Sequence, residues 1–159
     1  MRNLEQKVEA LMRLCVSENV RDQDKIREEI REYLLHFDPG AMDPEQEIRR
    51  ILLELGSPDH LVGHPYVIRA ILLVMKDRLY INNITFGLYP QLAVEFDTTP
   101  ARVERAIRHL IEVTWNRGDL DVLDRYFGNT ISASRGKPTN GEFIARMANV
   151  VKANVPRAA

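Results

Sequence analysis

The spacing of apolar residues is the feature of this sequence that most limits the possible folds. Apolar side chains recur at intervals of three and four residues through nearly the whole chain, which is the period of amphipathic helices. No stretch alternates polar and apolar residues for long enough to predict a sheet. With 159 residues and 45% apolar content, the chain can bury one domain-sized core. The pattern therefore predicts an all-α protein.

Composition and termini exclude several classes of protein. The longest apolar run, ILLVM at residues 71–75, is far shorter than the ~20 residues of a membrane span. The first ten residues, MRNLEQKVEA, contain neither the apolar stretch nor the cleavage site of a secretory signal. The single cysteine, Cys15, cannot form an internal disulfide. We therefore expect a cytoplasmic protein with no membrane contact.

A boundary is predicted between an N-terminal arm and a larger domain. Two amphipathic helical patterns precede the stop signal at Asp38, Pro39 and Gly40. We assign residues 1–43 to a helical arm, either a hairpin or a coiled coil, and residues 44–159 to a compact helical domain. Two such helices need an apolar partner. The arm would therefore mediate self-association or fold back on its own domain, and the sequence favours neither.

The predicted domain contains six longer helical patterns with local start and stop signals. Asp43 followed by Pro44 is a typical helix start, and Gly56 is a typical left-handed end. The pattern after residue 65 is apolar on most sides, which predicts a central helix. Residues 128–137 are predicted to be a loop. The predicted helices are 44–56, 65 to about 80, 87–96, 100–117, 120–127 and 138–153.

The segment from Leu88 to Gly118 has the order of a helix-turn-helix motif. A short amphipathic helix is followed by the break DTT and by a longer helix, for which Thr99 is the expected N-cap. Arginines on the outer face of such a helix can reach base edges in the major groove, where their planar forks bond guanine. The residues predicted on that face are Arg102, Arg105, His109 and Glu112, flanked by Glu104 and Arg108.

An ordinary solvated helix explains the same pattern. Glu104 and Arg108 have the i, i+4 spacing of an ion pair, and helix-turn-helix spacing is easily mimicked. The pattern by itself favours this simpler interpretation about two to one. The overall charge, with 22 Lys and Arg against 23 Asp and Glu, also argues against a nucleic-acid binder. However, residues 131–159 carry five basic residues and one acid, so a local phosphate-contacting face is available.

Five sequence stretches carry a specific resemblance to a known family. They are ELGSPDHLVGHPYVIRAI, FDTTPARVERAIRH, IEVTWNRGDLD, FGNTIS and KPTNGEFIA, and they extend from about Ile48 to Val151. This region resembles the C-terminal effector domain of the response regulator that initiates sporulation in endospore-forming bacteria. The resemblance implies a six-helix, all-α domain whose helix-turn-helix reads a short promoter box in double-stranded DNA to activate or repress transcription.

The resemblance also implies that the DNA side of the recognition helix carries Arg102, Glu104, Arg105 and His109, and the chemistry of each side chain then predicts its contact. Arg105 and Arg102 would contact guanine edges, Glu104 would accept from a cytosine amino group, and His109 would donate to a base or a phosphate. Arg108 would contact a phosphate or pair with Glu104. Lys137 and Arg135 are weaker candidates for phosphate contacts. The predicted DNA-binding set is Arg102, Glu104, Arg105, Arg108, His109 and Lys137.

A contact with the sigma subunit of RNA polymerase is a further implication of the resemblance. The matched surface extends from Gly118 to Ile131, with Val122, Asp124, Phe127 and Ile131 as candidate contacts. Considered alone, Phe127 is better explained as a core aromatic. The last helix, at Ala148 and Asn149, is a candidate homodimer contact, as is the arm.

The chain departs from the family at its N-terminal side. The parent regulator has an α/β receiver domain, whereas residues 1–43 are too short for that fold and show no strand pattern. The aspartates of this segment are therefore not interpreted as phosphoacceptors.

Pro100 also differs from the residue type expected in the family. It is compatible with the first position of a helix because no donor is needed there.

Catalytic and metal-binding alternatives are weak. His60 and His64 have a metal-compatible spacing, but the intervening Gly63 and the adjacent prolines argue against one continuous helix and no third ligand is evident. Cys15 lies on an apolar stripe and has no partner motif. We expect neither an enzyme nor a cofactor. The alternative to DNA binding is an interaction module that modulates a full-length regulator or RNA polymerase without binding DNA strongly.

Overall fold

The computed structural model describes Glu28 and residues 43–128 and 136–155. The last two ranges lie in one compact unit, Met42–Arg157. All regular structure in the described residues is helical, which confirms the predicted fold class. The helices are α1 (Pro44–Glu54), α2 (Gly63–Lys76), α3 (Leu79–Asn82), α4 (Tyr89–Glu95), α5 (Pro100–Arg117), α6 (Leu120–Phe127) and α7 (Asn140–Asn154), with a π-helical segment at Ile84–Leu88 that leads into α4.

The predicted arm lies outside the described residues except for Glu28. Its helices, its boundary near residue 43 and its role in self-association therefore stay predictions. The same holds for Cys15 and for most of the predicted loop at 128–137. None of the helices in the described part of the chain combines the length and the apolar character that a bilayer crossing requires.

Helix α1 has the start and the end that the sequence predicts. The Asp43 side chain accepts a hydrogen bond from the Glu45 N–H at 3.3 Å, which satisfies a free donor of the first turn. At the other end Gly56 has a φ of +75°, a conformation that glycine adopts without steric cost. The Ser57 N–H then donates to the Leu52 carbonyl at 2.9 Å. These bonds direct the chain toward α2.

Helix α2 is the central helix, as predicted. It packs against α1, α5 and α7, and Val67, Ala70 and Ile71 are completely buried. Its start lies very close to α5, because a Cβ atom on Gly63 would lie 2.2 Å from the Ala106 carbonyl oxygen. Only glycine allows this approach.

The predicted extent of the central helix was wrong at its C-terminal end. The chain leaves the helix at Asp77, which has an extended conformation with φ −141° and ψ 113°. The Asp77 side chain accepts a hydrogen bond from the Leu79 N–H at 2.9 Å. This aspartate turn competes with continued helix and starts α3 as a separate short helix.

An aromatic cluster joins the last three long helices. Trp115 of α5 lies 5.0 Å from Phe127 of α6 and 6.1 Å from Phe143 of α7, measured between ring centroids. Phe127 and Phe143 stack at 5.2 Å, and both are at most 1% exposed. The interpretation of Phe127 as a core aromatic agrees with this packing, which fixes α6 against the end of α5.

Helix α7 begins two residues later than predicted. Thr139 is its N-cap and accepts from the Glu142 N–H at 3.2 Å, while the Glu142 carboxylate accepts from the Thr139 N–H at 2.9 Å. This reciprocal capping box excludes Pro138 from the helix.

Candidate nucleic-acid interface

Helices α4 and α5 pack against each other and are joined by a tight turn. The Thr98 N–H donates to the Ala93 carbonyl at 2.9 Å, and Asp97 has a φ of +50°. Aspartate tolerates this left-handed conformation better than most residues. Thr99 then caps α5 by accepting from the Arg102 N–H at 3.4 Å. The break DTT therefore forms the turn of a helix-turn-helix arrangement.

The two faces of α5 differ as the sequence indicates. One face is buried in the core, where Val103, Ile107 and Leu110 have no exposed surface. The opposite face is open to solvent along the first half of the helix. On this face the exposed members of the predicted DNA-binding set are Arg102, Arg105, Arg108 and His109, and Glu104 is half-buried beside them.

Two cations of the predicted set are held by carboxylates on the same surface. Arg108 forms an ion pair with Glu104 one turn before it on α5. Lys137, which precedes α7, pairs with Glu112 of α5 at 2.7 Å. The Lys137 ammonium lowers the pKa of Glu112 below its usual range. A carboxylate thus occupies the position that a phosphate oxygen would need at each of these cations.

Arg102 and Arg105 differ from Arg108 and Lys137 because no carboxylate of the described residues holds them. In residues 43–128 and 136–155 neither guanidinium has an ion pair or a side-chain hydrogen bond. They lie three residues apart, about one helical turn, in the first half of α5. Nothing in the described chain has to be displaced before these two side chains can bind an acceptor.

Asn140, the first residue of α7, is a functional contact that the sequence pattern does not predict. Its side-chain amide donates to the Tyr89 hydroxyl at 3.0 Å and to the Glu104 carbonyl at 3.1 Å. One amide thereby joins α7 to both helices of the helix-turn-helix. Burial raises the pKa of Tyr89, so its hydroxyl stays protonated and can accept this bond at neutral pH. The KPTN motif contains Asn140, but no local pattern predicts partners 36 and 51 residues away.

The predicted partner surface is only partly exposed. Asp124 is exposed and Val122 is half-buried on α6, whereas Phe127 belongs to the aromatic cluster described above. Ile131 and the candidate phosphate contact Arg135 lie outside the described residues. Leu120, at the start of α6, is 79% exposed and was not singled out from the sequence.

The two histidines that were considered as metal ligands lie on different elements. His60 lies in the loop before α2 and His64 is buried within α2, so they are not on one continuous helix. In the described ranges no group of three or more His, Cys, Asp or Glu residues could hold a metal ion.

The predicted homodimer contact on α7 is only partly available. Ala148 is only 2% exposed, so burial within its own unit removes it as a surface contact, while Asn149 is exposed.

Comparison with known protein families shows which family contains a domain with this surface. The sequence model of the family "Sporulation initiation factor Spo0A C terminal" matches residues 48–151. The chain belongs to this family. The match begins in α1 and ends in α7, so it includes the whole helix-turn-helix and the aromatic cluster. It covers the effector domain.

Membership in the Spo0A C-terminal family identifies this unit as a DNA-binding effector domain of transcription regulation in sporulation. It is a regulatory family and not a family of enzymes. The exposed face of α5 is therefore the leading candidate for the DNA contact within this unit.

Proposed function

We propose that this protein is a sequence-specific transcription regulator in the cytoplasm that reads a promoter box with the first half of α5. The observation that carries this proposal is the exposed pair Arg102 and Arg105, which have no partner in the described chain. They follow directly after the tight turn of a helix-turn-helix. A recognition helix enters the major groove with its N-terminal residues at the base edges.

Individual side chains would have different tasks in the groove. Arg105, with Arg102 second, is proposed to bond the O6 and N7 atoms of guanine. His109 lies on the same face one turn beyond Arg105 and donates to a base or to a phosphate. Glu104 accepts from a cytosine amino group or, as in the free protein, positions Arg108 for a phosphate contact.

Lys137 is proposed to position the domain on the DNA backbone. In the free protein it is held by Glu112, and both side chains are about half exposed, so the pair contributes little to stability. Exchange of this carboxylate for a phosphate oxygen would keep the ammonium paired when the duplex binds. A contact of this kind carries no base preference.

A binding-site selection with the full-length protein tests the proposal. We expect an enriched box whose guanines lose their enrichment in Arg105→Ala. The matched control is Lys76→Ala, which removes an exposed positive charge at the C-terminal end of α2. If the selection yields no enriched sequence at low salt, the protein is not a sequence reader. That result favours the second proposed function.

The second proposed function is contact with the sigma subunit of RNA polymerase, with or without strong DNA binding. It is supported by the exposure of Leu120, since an apolar side chain that is 79% exposed on a short helix is suited to a partner surface. Asp124 and Val122 lie on the same helix.

Self-association through residues 1–43 or α7 stays a proposal, and light scattering on the full-length protein and on residues 44–159 tests it. Equal monomer masses for the two would exclude the arm.

A further inference from the structure

A concave site lies at the C-terminal end of α5, remote from the proposed DNA contact. It is a cleft of about 490 Å³ between the last turns of α1 and α5, the loop before α2 and the start of α2. Arg117, which lines it, is twelve residues after Arg105, about 18 Å along the helix axis at ~1.5 Å per residue. The cleft and the groove-reading face are therefore separate surfaces.

Two side chains that line this cleft each have a buried polar atom without a hydrogen-bond partner among the described residues. These atoms are Ser57 Oγ and His64 Nδ1, on side chains that are 6% and 7% exposed. Buried polar groups in folded proteins nearly always have a partner. Two such side chains in the lining of one cleft offer hydrogen-bonding capacity that a bound group can use.

The charge around the cleft favours an anion. Arg49 and Arg117 contribute guanidinium groups, and Arg117 has no ion pair or side-chain hydrogen bond in the described chain. Among the described residues Arg49 pairs with Glu45 of its own helix at 2.7 Å, and this exposed pair is readily exchanged. The carboxylate in the lining, that of Asp59, is 92% exposed and lies beside His60.

The start of α2 adds to this preference. No side chain caps this helix of 14 residues, and His64 is its second residue. The His64 N–H is already bonded to the Leu61 carbonyl at 2.9 Å and Pro65 has no N–H, so the contribution of this N-terminus is the positive end of the helix dipole. With the unpartnered Ser57 and His64, the cleft has both donors and positive charge.

We propose that this cleft binds the phosphoryl group of a phosphorylated ligand. Arg49 and Arg117 supply the charge, because guanidinium forks match the oxygens of a phosphoryl group. Ser57 and His64 donate to the same oxygens. The volume lies in the range of ~300–1,000 Å³ that is typical of small-molecule sites. It therefore has room for more of the ligand than the phosphoryl group itself.

Titration of the full-length protein with inorganic phosphate tests this site. The readout is the imidazole NMR signal of His64, and sodium chloride at equal ionic strength is the reference. We expect a saturable shift with phosphate and none with chloride. Arg117→Gln should weaken phosphate binding about tenfold or more, since it removes a charge-assisted hydrogen bond. Arg117→Lys, which keeps the charge, should retain part of the affinity.

The control variant is Lys76→Gln, which removes a positive charge at the opposite end of α2. It should bind phosphate as the unmodified protein does. Circular dichroism confirms that each variant is folded. The proposal is overturned if His64 shows no saturable response, or if Arg117→Gln and Lys76→Gln bind phosphate with the affinity of the unmodified protein.

A competition arm separates the two sources of a phosphoryl group. A short DNA duplex is added to the phosphate-loaded Arg105→Ala variant, in which groove reading is weakened. If the duplex displaces phosphate from His64, the cleft takes a backbone phosphate of DNA. If phosphate stays bound, the cleft takes a free phosphorylated small molecule.

Discussion

At the scale of single residues, the cations near α5 differ in what already binds them. Arg102 and Arg105 have no partner in the described residues, whereas Arg108 and Lys137 each form an ion pair with a glutamate. A free guanidinium can make its full interaction with a base edge. A paired cation must first exchange a carboxylate, so its net contribution to binding is smaller and less dependent on sequence.

Arg105→Ala should lower the affinity for the selected box by ~1–3 kcal/mol and relax the preference at one base position. The reason is the loss of a bidentate contact with guanine. Fluorescence anisotropy with the box and with single-base variants of it measures both effects. An Arg105→Ala protein that retains the full base preference would contradict the groove assignment of α5.

Lys137→Ala should weaken binding to specific and unrelated duplexes alike, and it should reduce the salt slope by about one. Glu112→Gln should have the opposite effect on affinity, because it releases the Lys137 ammonium. Binding isotherms at several salt concentrations test both variants. A loss confined to the specific box in Lys137→Ala would show that this residue reads a base.

At the scale of elements, helix caps were predictable from local signals, whereas long-range contacts were not. Asp43, Thr99 and Gly56 were identifiable because caps act within a few residues. The end of α2 was missed because the Asp77 turn interrupts a pattern that is apolar on both sides. The pairs Lys137–Glu112 and Asn140–Tyr89 join residues 25 and 51 positions apart, and no sequence period encodes them.

Asn140→Ala should lower the free energy of unfolding by about 1–3 kcal/mol, because it leaves the part-buried Tyr89 hydroxyl and Glu104 carbonyl without this donor. Urea denaturation measures the change. The matched control on the same helix is Asn149→Ala, at an exposed position where we expect a change within about 0.5 kcal/mol. Equal effects of the two substitutions would show that the bonds of Asn140 do not hold α7 to α4 and α5.

Gly63→Ala tests the close packing of α2 on α5. The added Cβ would lie 2.2 Å from the Ala106 carbonyl oxygen, whereas a Cβ on Gly87 would meet its nearest atom at 3.4 Å. We expect Gly63→Ala to destabilise the protein by about 1–3 kcal/mol, the range for overpacked sites, and Gly87→Ala to cost less. Thermal unfolding of both variants compares them, and a stable Gly63→Ala protein would rule out this helix contact.

At the scale of the whole molecule, stability should depend on pH in part through His64. Burial lowers the pKa of His64, and the nearby Arg49 charge lowers it further. The unfolded state then binds this proton more readily than the folded state. Stability is therefore highest above the ordinary histidine pKa of ~6.5 and falls as pH decreases toward the folded-state pKa.

Urea denaturation between pH 7.5 and 5 measures this dependence, and His64→Asn should flatten it. Carboxylates such as Glu95, whose pKa the Arg69 guanidinium lowers, lose their contribution in a more acidic range. The two effects are therefore separable. An unchanged slope in His64→Asn would show that burial of this imidazole does not govern acid sensitivity.

The Asn140 amide connects the reading helix, its preceding helix and the C-terminal helix. Because these bonds tie the three helices together, we expect the reading head and the C-terminal helix to meet a duplex as one body. When two such units occupy adjacent boxes, an imperfect spacing between the boxes has to be accommodated by twisting or bending the DNA. Promoter geometry, as well as base sequence, is then part of what the protein selects.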